Sequence, residues 1–227
     1  MTTRALTTEL ATDAAYQRKP HAYFSNPRAD FVLRLPADAT ASILEIGCGS
    51  GATGALALAL GRAGRYVGVE LVEGIAAEAR QVLSEVVVGD VERLELPWRS
   101  AEFDALILSE VLEHLVDPWA TLARLARVLR PGGLVLASSP NVAHWRVVRE
   151  LVGGRFELAE QGVFDRTHMR WFTPSSFAAM FERAGLRVER LGPVTPFSPR
   201  TQLLSRTTGG RFDHLFMTQI SLEARKR

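Results

Sequence analysis

Ile43-Leu44-Glu45-Ile46-Gly47-Cys48-Gly49-Ser50-Gly51 reads as a short buried strand running into a glycine loop, with a helix from Ala52 onward. Glycine at alternate positions lets the backbone approach a ligand closely, because no Cβ stands in the way. The first amides of the following helix have no intrahelical partner and favour a polar or anionic group in front of them. The stretch therefore predicts a nucleotide-like cofactor resting on Gly47 to Gly51.

Downstream, the same apolar rhythm recurs. Strands are expected at Ser42–Gly47, Tyr66–Leu71, Glu85–Gly89, Phe103–Ser109 and Gly133–Ser138, each a short run rich in Val, Ile or Leu, as in strands buried on both faces. Helical patterns lie between them at Ala52–Leu60, Gly74–Leu83 and Pro118–Leu129, and Arg130-Pro131-Gly132-Gly133 reads as the turn that stops the last. This alternation predicts an α/β fold, a parallel sheet doubly wound with helices on both faces. Upstream, Asn26-Pro27 is expected to cap a helix reaching Leu35, and residues 1–36 are read as an N-terminal helical cover. After Pro140 the rhythm breaks. A helix is expected over Asn141–Val152, an irregular stretch to Phe172, a helix from Thr173 to Ala184 and a strand at Leu186–Leu191. A loop or hairpin tip is then expected at Gly192–Gly210, and a final edge strand at His214–Ala224. Residues 141–172 are the expected substrate-recognition insert, since binding residues concentrate on loops carried by a rigid scaffold. All of 1–227 is expected to form one domain.

Composition sets the class. A chain of 227 residues with 47% hydrophobic residues is enough for one substantial core. No apolar run approaches the ~20 residues needed to span a bilayer. The first ten residues lack a basic segment followed by an apolar one. The one cysteine cannot form an internal disulfide, so a cytoplasmic location without a membrane span is expected. The net charge of +2 hides an asymmetry: residues 1–141 carry 13 Lys/Arg against 17 Asp/Glu, and residues 142–227 carry 14 against 8. Arginine suits phosphate and carboxylate groups, although a solvated surface is the commoner meaning of such an excess.

The loop fits two templates. As G-x-G-x-x-A, ending at Ala52, it matches the dinucleotide fingerprint and would serve an NAD-linked oxidoreductase. With Glu45 ahead of it, it also matches E-x-G-x-G-x-G, the first motif of S-adenosylmethionine (SAM) methyltransferases. Glu70, at the end of the second strand, suits a ribose diol in either case. Three features favour SAM. An acidic residue in the entering strand is unusual for a dinucleotide site; the Glu45 carboxylate can order the loop or face the methionine ammonium. Asp90 in Val88-Gly89-Asp90-Val91 is placed to accept from an adenine amino group. The third is the block from Phe103 to Pro118, with Leu129-Arg130-Pro131-Gly132-Gly133 behind it.

Over roughly Pro27 to Leu191 these blocks resemble class I SAM-dependent methyltransferases, above all the branch of ubiquinone-biosynthesis O-methyltransferases and bacterial sugar and natural-product methyltransferases. The resemblance implies a Rossmann-like seven-stranded, mostly parallel sheet with the last strand antiparallel, inserted beside the strand before it. It places Glu45, Gly47, Gly49 and Gly51 at the methionine moiety, with Cys48 in the same loop. Glu70 and Leu71 go to the ribose and adenine, Asp90 and Val91 to the adenine, and Ser109 with Glu110 beneath the sulfonium.

Methyl transfer from a sulfonium is an in-line displacement, in which the enzyme aligns the acceptor and, for a hydroxyl, helps remove its proton. Candidate bases are His114, His144 and His168; without a metal, His144 and His168 stand unranked. Glu110, Glu113 and His114 have E-x-x-E-H spacing, which on a helix shares one face and can hold Mg²⁺ or Mn²⁺. The triplet is similar to the metal-binding motif of small-RNA 2′-O-methyltransferases, which use a further histidine downstream; His168 is its counterpart here. In metal-free relatives the same spacing is structural, so both readings stand. The expected acceptor is a small molecule or glycan. With two lysines, Lys19 and Lys226, nucleic acid is not the expected partner, and an RNA 2′-O-methyltransferase is the alternative. A non-catalytic SAM-binding subunit is a further one. The oligomeric state is open, a homodimer included.

Overall fold

The computed structural model describes residues 22–227; most of the expected cover at 1–36 lies outside them. Two short helices open the described chain, α1 (Ala22–Ser25) and α2 (Ala29–Val32). The predicted Pro27–Leu35 helix is shorter than expected and its cap is Arg28, not Asn26: the Arg28 carbonyl accepts from both Phe31 N and Val32 N. Strands and helices then alternate as β1 (Ser42–Ile46), α3 (Ala52–Ala59), β2 (Arg65–Glu70), α4 (Glu73–Ala79), β3 (Glu85–Val88), β4 (Phe103–Ser109), α5 (Pro118–Val128) and β5 (Leu129–Pro140). A single 3₁₀ turn, Leu112–His114, separates β4 from α5. Beyond β5 come α6 (Trp145–Val152), α7 (Pro174–Arg183), β6 (Leu186–Pro193), α8 (Pro199–Thr207) and β7 (Gln219–Lys226).

The seven strands form one sheet in the order β3-β2-β1-β4-β5-β7-β6. β2 runs parallel to β1 and β3, and β6 pairs antiparallel with β7. This is the doubly wound, Rossmann-like α/β arrangement. The order reverses at β1, which has β2 on one side and β4 on the other. In open α/β sheets ligands bind beyond the carboxyl ends of the strands at such a reversal, and there the glycine loop leaves β1.

Several expectations are corrected. Arg130-Pro131-Gly132-Gly133 is not a separate turn; it lies at the start of the extended stretch β5, with Gly132 at φ +74° taking up the irregularity. The helix expected from Asn141 begins at Trp145, because Asn141 bridges to Phe172 instead. The stretch 192–210 is not merely a loop. Ser198 accepts a hydrogen bond from Thr201 N and Pro199 takes the first helical position, which starts α8. β7 begins at Gln219, with His214 in a 3₁₀ turn before it, and it is no edge strand: β5 and β6 flank it, and β3 and β6 are the edges.

The chain divides into two compact units, one reaching Ile107 and including Arg127–Leu134, the other comprising Leu108–Ala126 and Val135–Arg227. The core of the first holds Phe31, Ile43, Leu44, Tyr66 and Phe103, all fully buried. A Cβ on Gly54 would stand 2.5 Å from the Tyr66 ring, so α3 can lie this close to β2 only with glycine there. The core of the second contains a run of rings, Phe172 to Phe177 at 5.3 Å and Phe177 to Phe181 at 5.1 Å, beside Leu186, Ile220 and Leu222. Asn141 ties this unit together. Its amide donates to His214 O (2.7 Å) and Met217 O (2.8 Å), its Oδ1 accepts from Ala143 N, and its backbone N donates to Thr218 O.

Candidate active site

In the first unit the glycine loop is held by backbone before any side chain acts. Gly47 N and Cys48 N both donate to Val69 O, at 2.8 and 3.1 Å, and Ser50 N donates to Phe24 O at 2.9 Å. Gly47, Gly49 and Gly51 all have positive φ, a conformation costly for residues with a Cβ. At Gly49 a Cβ would also lie 2.3 Å from Phe24 O. Glu70 ties strand end to loop: Oε2 accepts from Gly49 N (3.0 Å), and Oε1 from Leu71 N (2.9 Å) and Val72 N (3.0 Å). Burial pushes the Glu70 carboxyl up, and those three amides oppose the shift.

Glu45 is buried, and its Oε2 accepts from Tyr66 OH at 2.8 Å. Burial pushes its carboxyl up to about 8, against the Tyr66 and Thr53 hydroxyls and the Arg28 charge. Thr53 Oγ1 in turn accepts from Arg28 N. The hydroxyl partners of Glu45, Tyr66 on β2 and Thr53 on α3, tie β1 to the two elements beside it. Asp90 organises the turn after β3, accepting from Glu92 N through Oδ1 and pairing with Arg93 through Oδ2 at 3.5 Å; Val91 beside it is buried.

In the second unit Ser109 ends β4, and Glu110 stands at φ +53° with its N donating to Ser138 O. That left-handed residue breaks the helical spacing expected for E-x-x-E-H. The Glu110 carboxylate accepts from Gln219 Nε2 at 3.2 Å. Among the described residues, the group suited to a metal is Glu113, His114 and His168, whose ligand atoms lie within 4.8 Å of one another. His114 and His168 come together as expected, with ring centroids 4.7 Å apart; Glu110 stands outside the group, and so does His144.

The donor set fits a cation. Each imidazole places Nδ1 on a backbone carbonyl, His114 on Thr167 O at 3.1 Å and His168 on Val163 O at 3.0 Å. A carbonyl only accepts, so each Nδ1 carries hydrogen, and in the neutral ring Nε2 is then the ligating nitrogen. Glu113 is 1% exposed and neither carboxylate oxygen has a hydrogen-bond partner. Burial, with Glu110 and Asp165 adding repulsion, pushes its carboxyl well above the usual range. The Ser139 hydroxyl lowers it, although its oxygen forms no hydrogen bond of ordinary geometry. A buried polar group left unsatisfied is costly, and a cation would satisfy this one. Asp165 works on the loop: its Oδ1 accepts from Thr167 N and Thr167 Oγ1, and its carbonyl takes His168 N.

His144 caps α6, buried beside Trp145, with its imidazole pushed down by burial and by Arg146. Gln219 has no signal in the linear sequence, because its partner Glu110 lies 109 residues away.

Comparison with known proteins identifies the fold and the family. Residues 16–191 match the family described as "Methyltransferase domain". Ubiquinone biosynthesis O-methyltransferase of Aromatoleum aromaticum is 29% identical over 85% of this chain and 83% of its own length. The Thiobacillus denitrificans protein of that name is 30% identical, over 78% and 77%. A SAM-dependent methyltransferase from Archaeoglobus fulgidus superposes with a TM-score of 0.62 at 19% identity, covering 90% of this chain and 96% of the other. With the glycine loop, Glu70 and Asp90 placed at the ends of β1, β2 and β3, the chain belongs to the methyltransferase-domain family as a class I SAM-dependent methyltransferase.

Proposed function

We propose that this enzyme O-methylates a hydroxyl of a small molecule, a sugar or a glycan. The observation that carries the reading is the buried, unsatisfied Glu113 carboxylate beside two imidazoles whose Nδ1 atoms are fixed on carbonyls. Such a group suits an acceptor oxygen that must lose a proton. The O-methyltransferase relatives, at 28–30% identity, support the same choice.

When bound, SAM would supply an electrophilic methyl carbon for in-line transfer to the acceptor oxygen, with its thioether as leaving group. The chain's residues do the rest. Gly47, Gly49 and Gly51 shape the loop for the methionine end, Glu70 and Leu71 serve the ribose and adenine, and Asp90 with Val91 serves the adenine. Ser109 and Glu110 would face the sulfonium end of the cofactor. Glu113, His114 and His168 would hold Mg²⁺ or Mn²⁺, whose charge favours the deprotonated hydroxyl. His144 remains a candidate base, with its imidazole pushed down by burial and by Arg146. The insert 141–172 would select the acceptor.

The test offers labelled SAM to panels of phenols, sugars, nucleotide-linked glycans and RNA, with and without chelator. Wild type is expected to label a small hydroxyl acceptor. Glu113→Ala and His168→Ala are expected to lose about 100-fold or more of the rate while keeping affinity for S-adenosylhomocysteine. Transfer that survives chelation, with Glu113→Ala at wild-type rate, removes the metal. Labelling confined to RNA moves the reading to 2′-O-methylation.

A further inference from the structure

We infer that Arg170 is a positioning residue that sets the spacing between the two halves of the Glu113–His114–His168 group. The inference rests on the metal reading above. The group is assembled from two segments remote in sequence: a 3₁₀ turn carrying Glu113 and His114, and a loop carrying His168. Main chain joins them, together with the bond from His114 Nδ1 to Thr167 O at 3.1 Å. Met169 N and Arg170 N both donate to Glu113 O, at 2.8 and 2.9 Å. Arg170 then reaches both sides of the joint with one side chain. Its Nη2 donates to Val116 O beyond the turn, and its Nη1 donates to Met169 O on the loop at 3.0 Å. The guanidinium carbon lies 6.0 Å from the centroid of the Trp119 ring, so the start of α5 is drawn in as well.

The chemistry needs arginine. A planar guanidinium presents several donors in a fixed fork and can satisfy two carbonyls at a set separation. A lysine ammonium is a single flexible point and holds no such distance. Arg170 contacts carbonyls rather than any of the three ligating groups, so it acts through the main chain that carries them. Its Nε is buried without a partner, a cost that persists where the surrounding geometry over-determines the side chain.

The test is Mn²⁺ titration followed by the electron paramagnetic resonance of free ion, on the full chain, for wild type, Arg170→Lys and Arg170→Met. S-adenosylhomocysteine affinity and melting temperature are measured alongside, and His168→Ala marks the loss of a ligand. Wild type is expected to bind Mn²⁺. Both Arg170 variants are expected to bind it at least about tenfold more weakly, with S-adenosylhomocysteine affinity within about twofold of wild type. If Arg170→Lys binds as wild type does, charge and not the fork is what matters, and the inference is overturned. Wild-type binding in Arg170→Met overturns it as well. A fall in melting temperature and S-adenosylhomocysteine affinity together with Mn²⁺ affinity reduces Arg170 to a general stabiliser, which also overturns it. If wild type itself takes no Mn²⁺, or His168→Ala binds equally, the metal reading fails first and takes the inference with it.

Discussion

Glu45 is one carboxyl with a measurable consequence. Its pKa is pushed up to about 8 from an ordinary value of 4.5, so the folded protein holds that proton more tightly than the unfolded chain. The associated stability is complete below about pH 4.5 and is lost as pH rises through about 8. Glu113, pushed the same way by burial and by Glu110, adds to the trend. The melting temperature should therefore fall from about pH 5 to about pH 9. Glu45→Gln, which keeps an acceptor for Tyr66 OH, should flatten that fall by an amount on the order of a few kcal/mol. An unchanged slope in the variant would show that Glu45 ionises normally. The same residues mark what sequence discloses. The glycine loop was legible because its demand is local: three glycines with positive φ inside nine residues. Gln219 on Glu110 was not, because 109 residues separate the partners. E-x-x-E-H spacing misled in one position, since the helical face it assumes does not form once Glu110 turns left-handed.

β1, β2 and β4 were legible for a physical reason: most of their residues are buried and so are mainly apolar, whereas β3, at the edge of the sheet, is half-buried and shows itself only by its run of three valines. Irregular elements escaped wherever a side chain replaced a ladder. Asn141 draws the backbone at 214–218 to itself and delays α6 to Trp145. The element least like its neighbours is α8, which contains no buried residue, whereas α7 buries Phe177, Met180 and Phe181. A nine-residue helix without tertiary burial is marginal in water. Backbone amides of 199–207 should exchange with solvent at least about 100-fold faster than those of 174–183. Equal protection in both would mean that α8 is held by contacts its burial does not reveal.

For the whole molecule, the decisive choice was between two cofactors that share a glycine loop. Occupied cofactor sites shift unfolding by mass action, so ligand-induced stabilisation distinguishes them without knowledge of the acceptor. S-adenosylhomocysteine at about 100 times its Kd should stabilise the chain by about 2.7 kcal/mol, or about 5–10 °C. NADH should leave the melting temperature unchanged, and the reverse result would restore the oxidoreductase. The fold could be anticipated from the order of its strands and motifs. The acceptor could not, because most of the insert, from Gly153 to Phe172, is irregular and depends on long-range contacts such as the Met169 and Arg170 bonds to Glu113.

The chain's single cysteine lies within the loop and is 5% exposed. Gly68 across from it has no room for a Cβ, which would stand 2.4 Å from the sulfur. Burial, with Glu45 and Glu70 close by, holds the thiol far up in its protonated, unreactive form. Electrophiles and oxidants can therefore act on Cys48 only in the moments when the loop leaves its seat. The rate of thiol alkylation is then a clock for loop opening, built into the natural chain at its only labelling position, and a bound cofactor that holds the loop down would slow it.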